Sequence, residues 1–130
     1  MKYIPLAQAL LGEEEIAVVR DTLLSGWVTQ GPKVKEFEKN FAAFTKAKFA
    51  CAVSSCTAAL HLALLAVGVK PGDVVITVSH SFIATANAIR HCGAEPVFID
   101  IDSDTLNMSP AALDKCLFED FAEKKRRVSL

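Results

Sequence analysis

Phe49-Ala50-Cys51-Ala52-Val53-Ser54-Ser55-Cys56-Thr57-Ala58-Ala59-Leu60-His61-Leu62-Ala63-Leu64 passes from a short apolar run, through small hydroxylated residues, into a longer apolar run of helix formers. Residues 49–53 read as a strand. Ser54-Ser55 then opens a helix over about 57–67, which Gly68 closes. The turn Pro71-Gly72-Asp73 leads to a second strand, Val74 to Val78. Ser81 caps a helix running through roughly Arg90, and Gly93 ends it. Pro96 to Ile101 is a third strand with Val97-Phe98-Ile99 as its core. Strands alternating with helices at this spacing predict parallel pairing with helical crossovers, an α/β fold. The strands are apolar at nearly every position, as in a sheet covered on both faces.

Upstream, Glu13 to Ser25 carries Ile16, Val19 and Leu23 at helical spacing, with three acids in the first turn. Gly26 to Pro32 is a loop holding the single tryptophan, Trp27. Pro32 suits the first turn of a second helix, whose stripe is Val34, Phe37, Phe41 and Phe44. Downstream, Ser109-Pro110 starts a last helix that runs from Ala111 into Phe121 and the basic end Lys124-Lys125-Arg126-Arg127. The 130 residues therefore read as one domain, with a helical segment over 1–46 and a βαβαβα unit over 47–130. Three parallel strands with open edges are few for a self-sufficient domain, so the domain is expected to be incomplete.

With 52% hydrophobic and 22% charged residues, the composition is that of a soluble α/β protein. A formal charge of -1 lacks the basic excess of nucleic-acid or anionic-membrane binders, so neither partner is expected. Cys51, Cys56, Cys92 and Cys116 form no CxxC pair and are read as reduced. The first residues show no basic-then-apolar leader, and no run approaches a membrane span, so the expected location is the cytoplasm.

Two junctions can carry chemistry. Ser54-Ser55-Cys56-Thr57 joins a strand end to a helix start, where free N–H groups, the helix dipole and hydroxyls suit a phosphate. The same residues are also good plain caps. Phe82, after Ser79-His80-Ser81, lies at the carboxyl end of the next strand. There a ring face beside a phosphate site suits a planar phosphorylated ligand, although phenylalanines are usually core. The Trp27-Val28-Thr29-Gln30-Gly31 loop offers an aromatic to a ligand, a partner subunit or its own packing. His61 reads as a satisfied core histidine. Asp100 and Asp102 end a strand and could hold a metal, but Asp102-Ser103-Asp104-Thr105 is good turn chemistry, and the turn is the favoured reading. No GxGxxG follows any expected strand, which disfavours a Rossmann dinucleotide binder.

In order and spacing, several blocks together resemble the DegT/StrS family of sugar aminotransferases. They are Ile4-Pro5-Leu6, Ser25 to Pro32, Val53 to Leu64, Pro71-Gly72-Asp73, Phe82 to Ile89 and Gly93 to Asp102. The resemblance implies the first part of the large domain of a fold-type I pyridoxal-phosphate enzyme, a partial three-layer sandwich with a mainly parallel sheet. It implies that Ser55, Cys56 and Thr57 hold the phosphate of pyridoxal 5'-phosphate, that Phe82 stacks on its pyridine ring, and that Trp27, Val28 and Thr29 border the sugar site. Many family members have glycine where Cys56 stands. The implied reaction moves an amino group, from glutamate, to a keto group of a nucleotide-linked sugar, in a homodimeric enzyme. The Schiff-base lysine and the aspartate facing the pyridine nitrogen match no position among the ten lysines and the aspartates here. The chain by itself is therefore expected to be inactive. The other reading is a non-catalytic remnant that acts through association with a partner chain.

Overall fold

The computed structural model describes residues 4–5 and 7–120. The chain divides into two compact units, Met1–Ala52 and Val53–Leu130.

The first unit is helical. Helix α1 (Glu13–Leu24) starts at Gly12, whose N–H is accepted by the Glu15 carboxylate at 2.7 Å. Three glutamates in the first turn complement the dipole. Its apolar positions Ile16, Val19 and Leu23 stay exposed. Helix α2 (Pro32–Thr45) begins on Pro32 and ends at Lys46, which takes the left-handed conformation at φ 57°. Phe37 and Phe41 stack one turn apart with ring centroids at 5.7 Å. The stripe read from the sequence is there, but Phe37, Phe41 and Phe44 are all exposed within this chain.

Residues 49–53 do not form the expected strand. A strand exists only where a neighbour takes its N–H and C=O groups. Among the described residues this segment has no such neighbour, and the Ala52 N–H goes instead to the Glu38 carboxylate at 2.8 Å.

The second unit holds helix α3 (Cys56–Ala66), strand β1 (Val74–Val78), helix α4 (Ile83–His91), strand β2 (Glu95–Ile99) and helix α5 (Pro110–Lys115). A π-helical turn, Cys116–Asp120, follows. Strands β1 and β2 pair in parallel, from Val74 opposite Glu95 to Val78 opposite Ile99. Parallel neighbours need a crossover, and α4 supplies it. The sheet thus has two described strands where the sequence predicts three, with β2 ending at Ile99. Ile101 pairs with Met108 in an isolated antiparallel bridge. The faces are only part-covered in this chain: β1 is half-buried and Phe98 is exposed.

Of the buried residues, Ile89, Cys92 and Ala94 form a packed cluster, with Leu64, Val69 and Val75 against them. Full burial of an isoleucine such as Ile89 stabilises by about 1.5–3 kcal/mol, so these few residues anchor α4 against α3 and the sheet. Two turns lock the edge where the strands begin. Gly72 N–H donates to the Gly93 carbonyl at 3.1 Å, and Glu95 N–H to the Asp73 carbonyl at 2.8 Å. Helix α5 is capped by Ser109, whose hydroxyl accepts the Ala112 N–H. The expected continuation is present as the π-helical turn Cys116–Asp120, while Phe121 and the basic end lie outside the described residues.

Candidate functional site

Ser55 sits at the N-cap of α3 in extended conformation, and its hydroxyl oxygen accepts the Ala58 N–H at 3.1 Å. Its carbonyl accepts Ala59 N–H at 3.0 Å. The cap hydroxyl satisfies one of the four orphan donors of the helix start, and the Ser55 carbonyl takes the first intrahelical bond. The N–H groups of Cys56 and Thr57 have no partner among the described residues. Ser55 uses only a lone pair in this cap, so its own O–H remains available to donate, and the Thr57 hydroxyl adds another. Two amides, two hydroxyls and the positive dipole end together make a donor set for an anion. Cys56 is exposed and its thiol is free.

Phe82 immediately precedes α4 and is 79% exposed, so it is not the core phenylalanine that its type favours. Ser81 does not cap α4 as expected. Its hydroxyl pairs with the Thr85 hydroxyl at 2.9 Å, while the Thr85 N–H bonds the Phe82 carbonyl. The reason is register: α4 begins two residues after Ser81, which leaves Phe82 as the cap residue.

Helix α4 starts just beyond the carboxyl end of β1 and returns to the edge where the strands begin. Helix α3 reaches that same edge through the turn before β1. His61 meets His91 edge-to-face at 5.6 Å, and Leu64 packs against Ile89, Cys92 and Ala94. The two helices therefore share their carboxyl-terminal ends, and their starts, bearing Ser55 to Thr57 and Phe82, open towards the side where β1 ends. That is the side on which parallel α/β sheets bind ligands. His61 is half-buried against α4 rather than enclosed in a core.

In the first unit, Trp27, Val28 and Thr29 all line a cavity of about 400 Å³, with Asp21, Ser25 and Lys33 among its other walls. Trp27 N–H donates to the Ser25 hydroxyl at 3.1 Å, and the indole Nε1–H to the Gln30 carbonyl at 3.0 Å. Sequence reasoning picked out Trp27, Val28 and Thr29 but missed Asp21 and Ser25, whose i, i+4 spacing at the end of α1 puts both on the wall of this cavity.

Asp102 is a turn residue. Its carboxyl is held below the ordinary range by the Thr105 backbone N–H, then by the Thr105 side chain and the Asp104 N–H. Among the described residues no group of three or more His, Cys, Asp or Glu side chains is arranged to hold a metal. No described helix is long and apolar enough to cross a membrane.

Residues 9–120 match the DegT/DnrJ/EryC1/StrS aminotransferase family. The chain belongs to this family. It is 57% identical over 112 residues to the spore coat polysaccharide biosynthesis protein SpsC of Bacillus subtilis, a match covering 86% of this chain and 29% of that protein. A putative sugar aminotransferase of Streptococcus pneumoniae, Spr1654, solved in PLP, PMP and apo forms, superposes with a TM-score of 0.81 at 41% identity. In the PLP form the match covers 86% of this chain and 29% of that one. The aminotransferase TlmJ of Streptoalloteichus hindustanus gives 0.77 at 40% identity, covering 87% and 31%. This aminotransferase-family chain thus spans less than a third of the length of these relatives. Its α/β architecture with a small parallel sheet is that of fold-type I aminotransferases.

Proposed function

We propose that this chain forms the phosphate-holding and ring-facing part of a sugar aminotransferase that uses pyridoxal 5'-phosphate. The reading rests most on the start of α3, where the Cys56 and Thr57 amides have no partner among the described residues and lie beside two hydroxyls, on the side of the sheet towards which Phe82 also opens. The phosphate would lie on Ser55, Cys56 and Thr57, and the pyridine ring against Phe82. Small residues let the backbone approach a phosphate closely, and the exposed aromatic face suits a planar ring. When bound, the cofactor supplies an electron sink and an amino-group carrier. The relatives known in PLP and PMP forms support this assignment.

The proposed substrates are an amino acid, glutamate, as donor and a keto group of a nucleotide-linked sugar as acceptor, with Trp27, Val28 and Thr29 beside the sugar. The similarity to a polysaccharide biosynthesis protein supports a role in glycan precursor synthesis. Such a transfer needs a lysine at the carboxyl edge of the sheet. Among the described residues of the second unit the lysines are Lys70 and Lys115. Lys70 stands at the opposite edge, its N–H bonded to the Asp73 carboxylate at 2.8 Å, and Lys115 ends α5. Neither stands where the transfer needs one, which supports the proposal that the chain alone binds without turning over. We also propose that it works as a homo-oligomer in the cytoplasm, since the exposed Phe37, Phe41 and Phe44 stripe favours association.

Equilibrium dialysis of this chain with pyridoxal phosphate and with unphosphorylated pyridoxal tests the reading. Binding that requires the phosphate and is displaced by inorganic phosphate supports it. Equal binding of both compounds, or turnover of an amino acid by this chain alone, would defeat it.

A further inference from the structure

Trp27 is fixed at three points. Its N–H is held by the Ser25 hydroxyl, which in turn donates to the Thr22 carbonyl at 2.7 Å. Its indole Nε1–H donates to the Gln30 carbonyl. Its ring lies over Gly31, where a Cβ would overlap the indole Nε1 and Cδ1 and come within 2.6 Å of Cε2. Gly31 has φ -168°, extended backbone that any residue adopts. The requirement for glycine at 31 is thus steric, and the three atoms nearest to an added carbon all belong to the indole. The backbone around the ring is anchored too, because Gly31 is the N-cap of α2 and its carbonyl accepts the Lys35 N–H at 3.2 Å.

From this arrangement we infer that Gly31 is a positioning residue that acts through Trp27: it provides the flat seat that holds the indole as one wall of the 400 Å³ cavity, with Asp21, Thr22 and Lys33 among the other walls. The ring remains 56% exposed while its edge is tied down, an arrangement that fixes an aromatic face without burying it. Any added carbon at 31 must push the indole off its seat, out of its bond to Gln30 and out of its rotamer. The Gln30 carbonyl also sets which edge of the indole faces the loop. The functional weight of this seat rests on the reading of the Trp27 to Thr29 loop as substrate-facing.

Because Trp27 is the single tryptophan, its fluorescence reports the seat directly. In Gly31→Ala, acrylamide quenching should rise by up to about twofold as the indole moves from 56% towards full exposure, with a red-shifted emission and unchanged helical circular dichroism. Unchanged quenching and emission would overturn the inference. Should Gly31→Ala lower folding stability, the same substitution in a Trp27→Ala background decides the matter: loss of the cost supports the seat, and a cost that persists overturns it. Titration of the unsubstituted chain with UDP-glucose separates the two claims. A saturable change in Trp27 emission supports the substrate-facing loop, and no change defeats that reading while the quenching result still decides the seat.

Discussion

The Glu38 carboxylate, midway along α2, accepts the Ala52 backbone N–H at 2.8 Å across fourteen residues of chain. This bond ties the segment after α2 back onto the helix, so an N–H without a strand partner is still satisfied. Glu38→Ala should destabilise the first unit by about 1 kcal/mol, below the full value of a charge-assisted hydrogen bond because the pair is only part-buried. Glu38→Gln, which keeps an acceptor oxygen, should lose less. Urea denaturation followed by circular dichroism checks both, and an unchanged midpoint for Glu38→Ala would remove the bond from the account.

The same bond explains what the sequence did not reveal. Residues 49–53 have strand composition, but a strand is a property of two segments, and local pattern shows only one of them. The helices were legible because their signals are local: Pro32 at the start of α2, Ser55 before α3, and Gly93 after α4. The pairing of β1 with β2 was legible from the α4 crossover between two apolar runs. Ser81 misled because Ser79 to Phe82 offers several cap positions, and only the backbone selects among them. The helix start at Ser55, Cys56 and Thr57 was legible from the strand-like run before hydroxyl-rich residues, while a ligand there is a proposal. The seat at Gly31 did not, since a glycine beside proline is ordinary loop chemistry until the Trp27 ring is seen above it.

Gly93 and Gly68 both have positive φ, at 74° and 92°, but differ in surroundings. A Cβ at Gly93 would meet Pro71 Cβ and Cγ at 3.0 Å, whereas at Gly68 nothing lies within 4 Å. Gly68→Ala should therefore cost only the left-handed strain of about 1–2 kcal/mol. Gly93→Ala adds the push against Pro71, which disturbs the Gly72 to Gly93 bond at the start of the strands. The expected order in thermal denaturation is wild type above Gly68→Ala above Gly93→Ala. The reverse order of the two variants would contradict the packing at that edge.

Two carboxyls carry pH dependence. Glu15 is lowered by the Gly12 backbone N–H, then by its own, and Asp102 chiefly by the Thr105 N–H. A carboxyl with a lowered folded-state pKa binds its proton less readily than in the unfolded chain. Its stabilising contribution is complete above the ordinary carboxylate range of about 4 and is lost as pH falls through the depressed folded value. Stability should thus decline below about pH 4, and less steeply in Glu15→Gln and Asp102→Asn. Glu15 is exposed and Asp102 only part-buried, so the slopes are small. Equal slopes in the wild type and both variants, measured by denaturation between neutral and acid pH, would count against these bonds.

The cap role of Ser55 and its proposed ligand role separate by substitution. Glycine at an N-cap costs only a few tenths of a kcal/mol relative to serine, because extended backbone is retained and water reaches the exposed N–H groups. The hydroxyl proposed to donate to a phosphate is nevertheless lost entirely. Ser55→Gly should therefore leave the melting curve nearly unchanged and weaken pyridoxal phosphate binding about tenfold, or about 1.4 kcal/mol, the scale of one charge-assisted hydrogen bond. It should leave the weak binding of unphosphorylated pyridoxal as it was. Phe82→Ala acts on the ring instead, and should weaken both compounds by a similar factor without touching the cap at Ser55. With Phe82 79% exposed, its removal forfeits little packing, so folding should again be preserved. Calorimetric titration of the two compounds against the two variants gives four comparisons with wild type. If Ser55→Gly weakened pyridoxal and pyridoxal phosphate alike, the hydroxyl would not be a phosphate donor and Ser55 would be a helix cap alone.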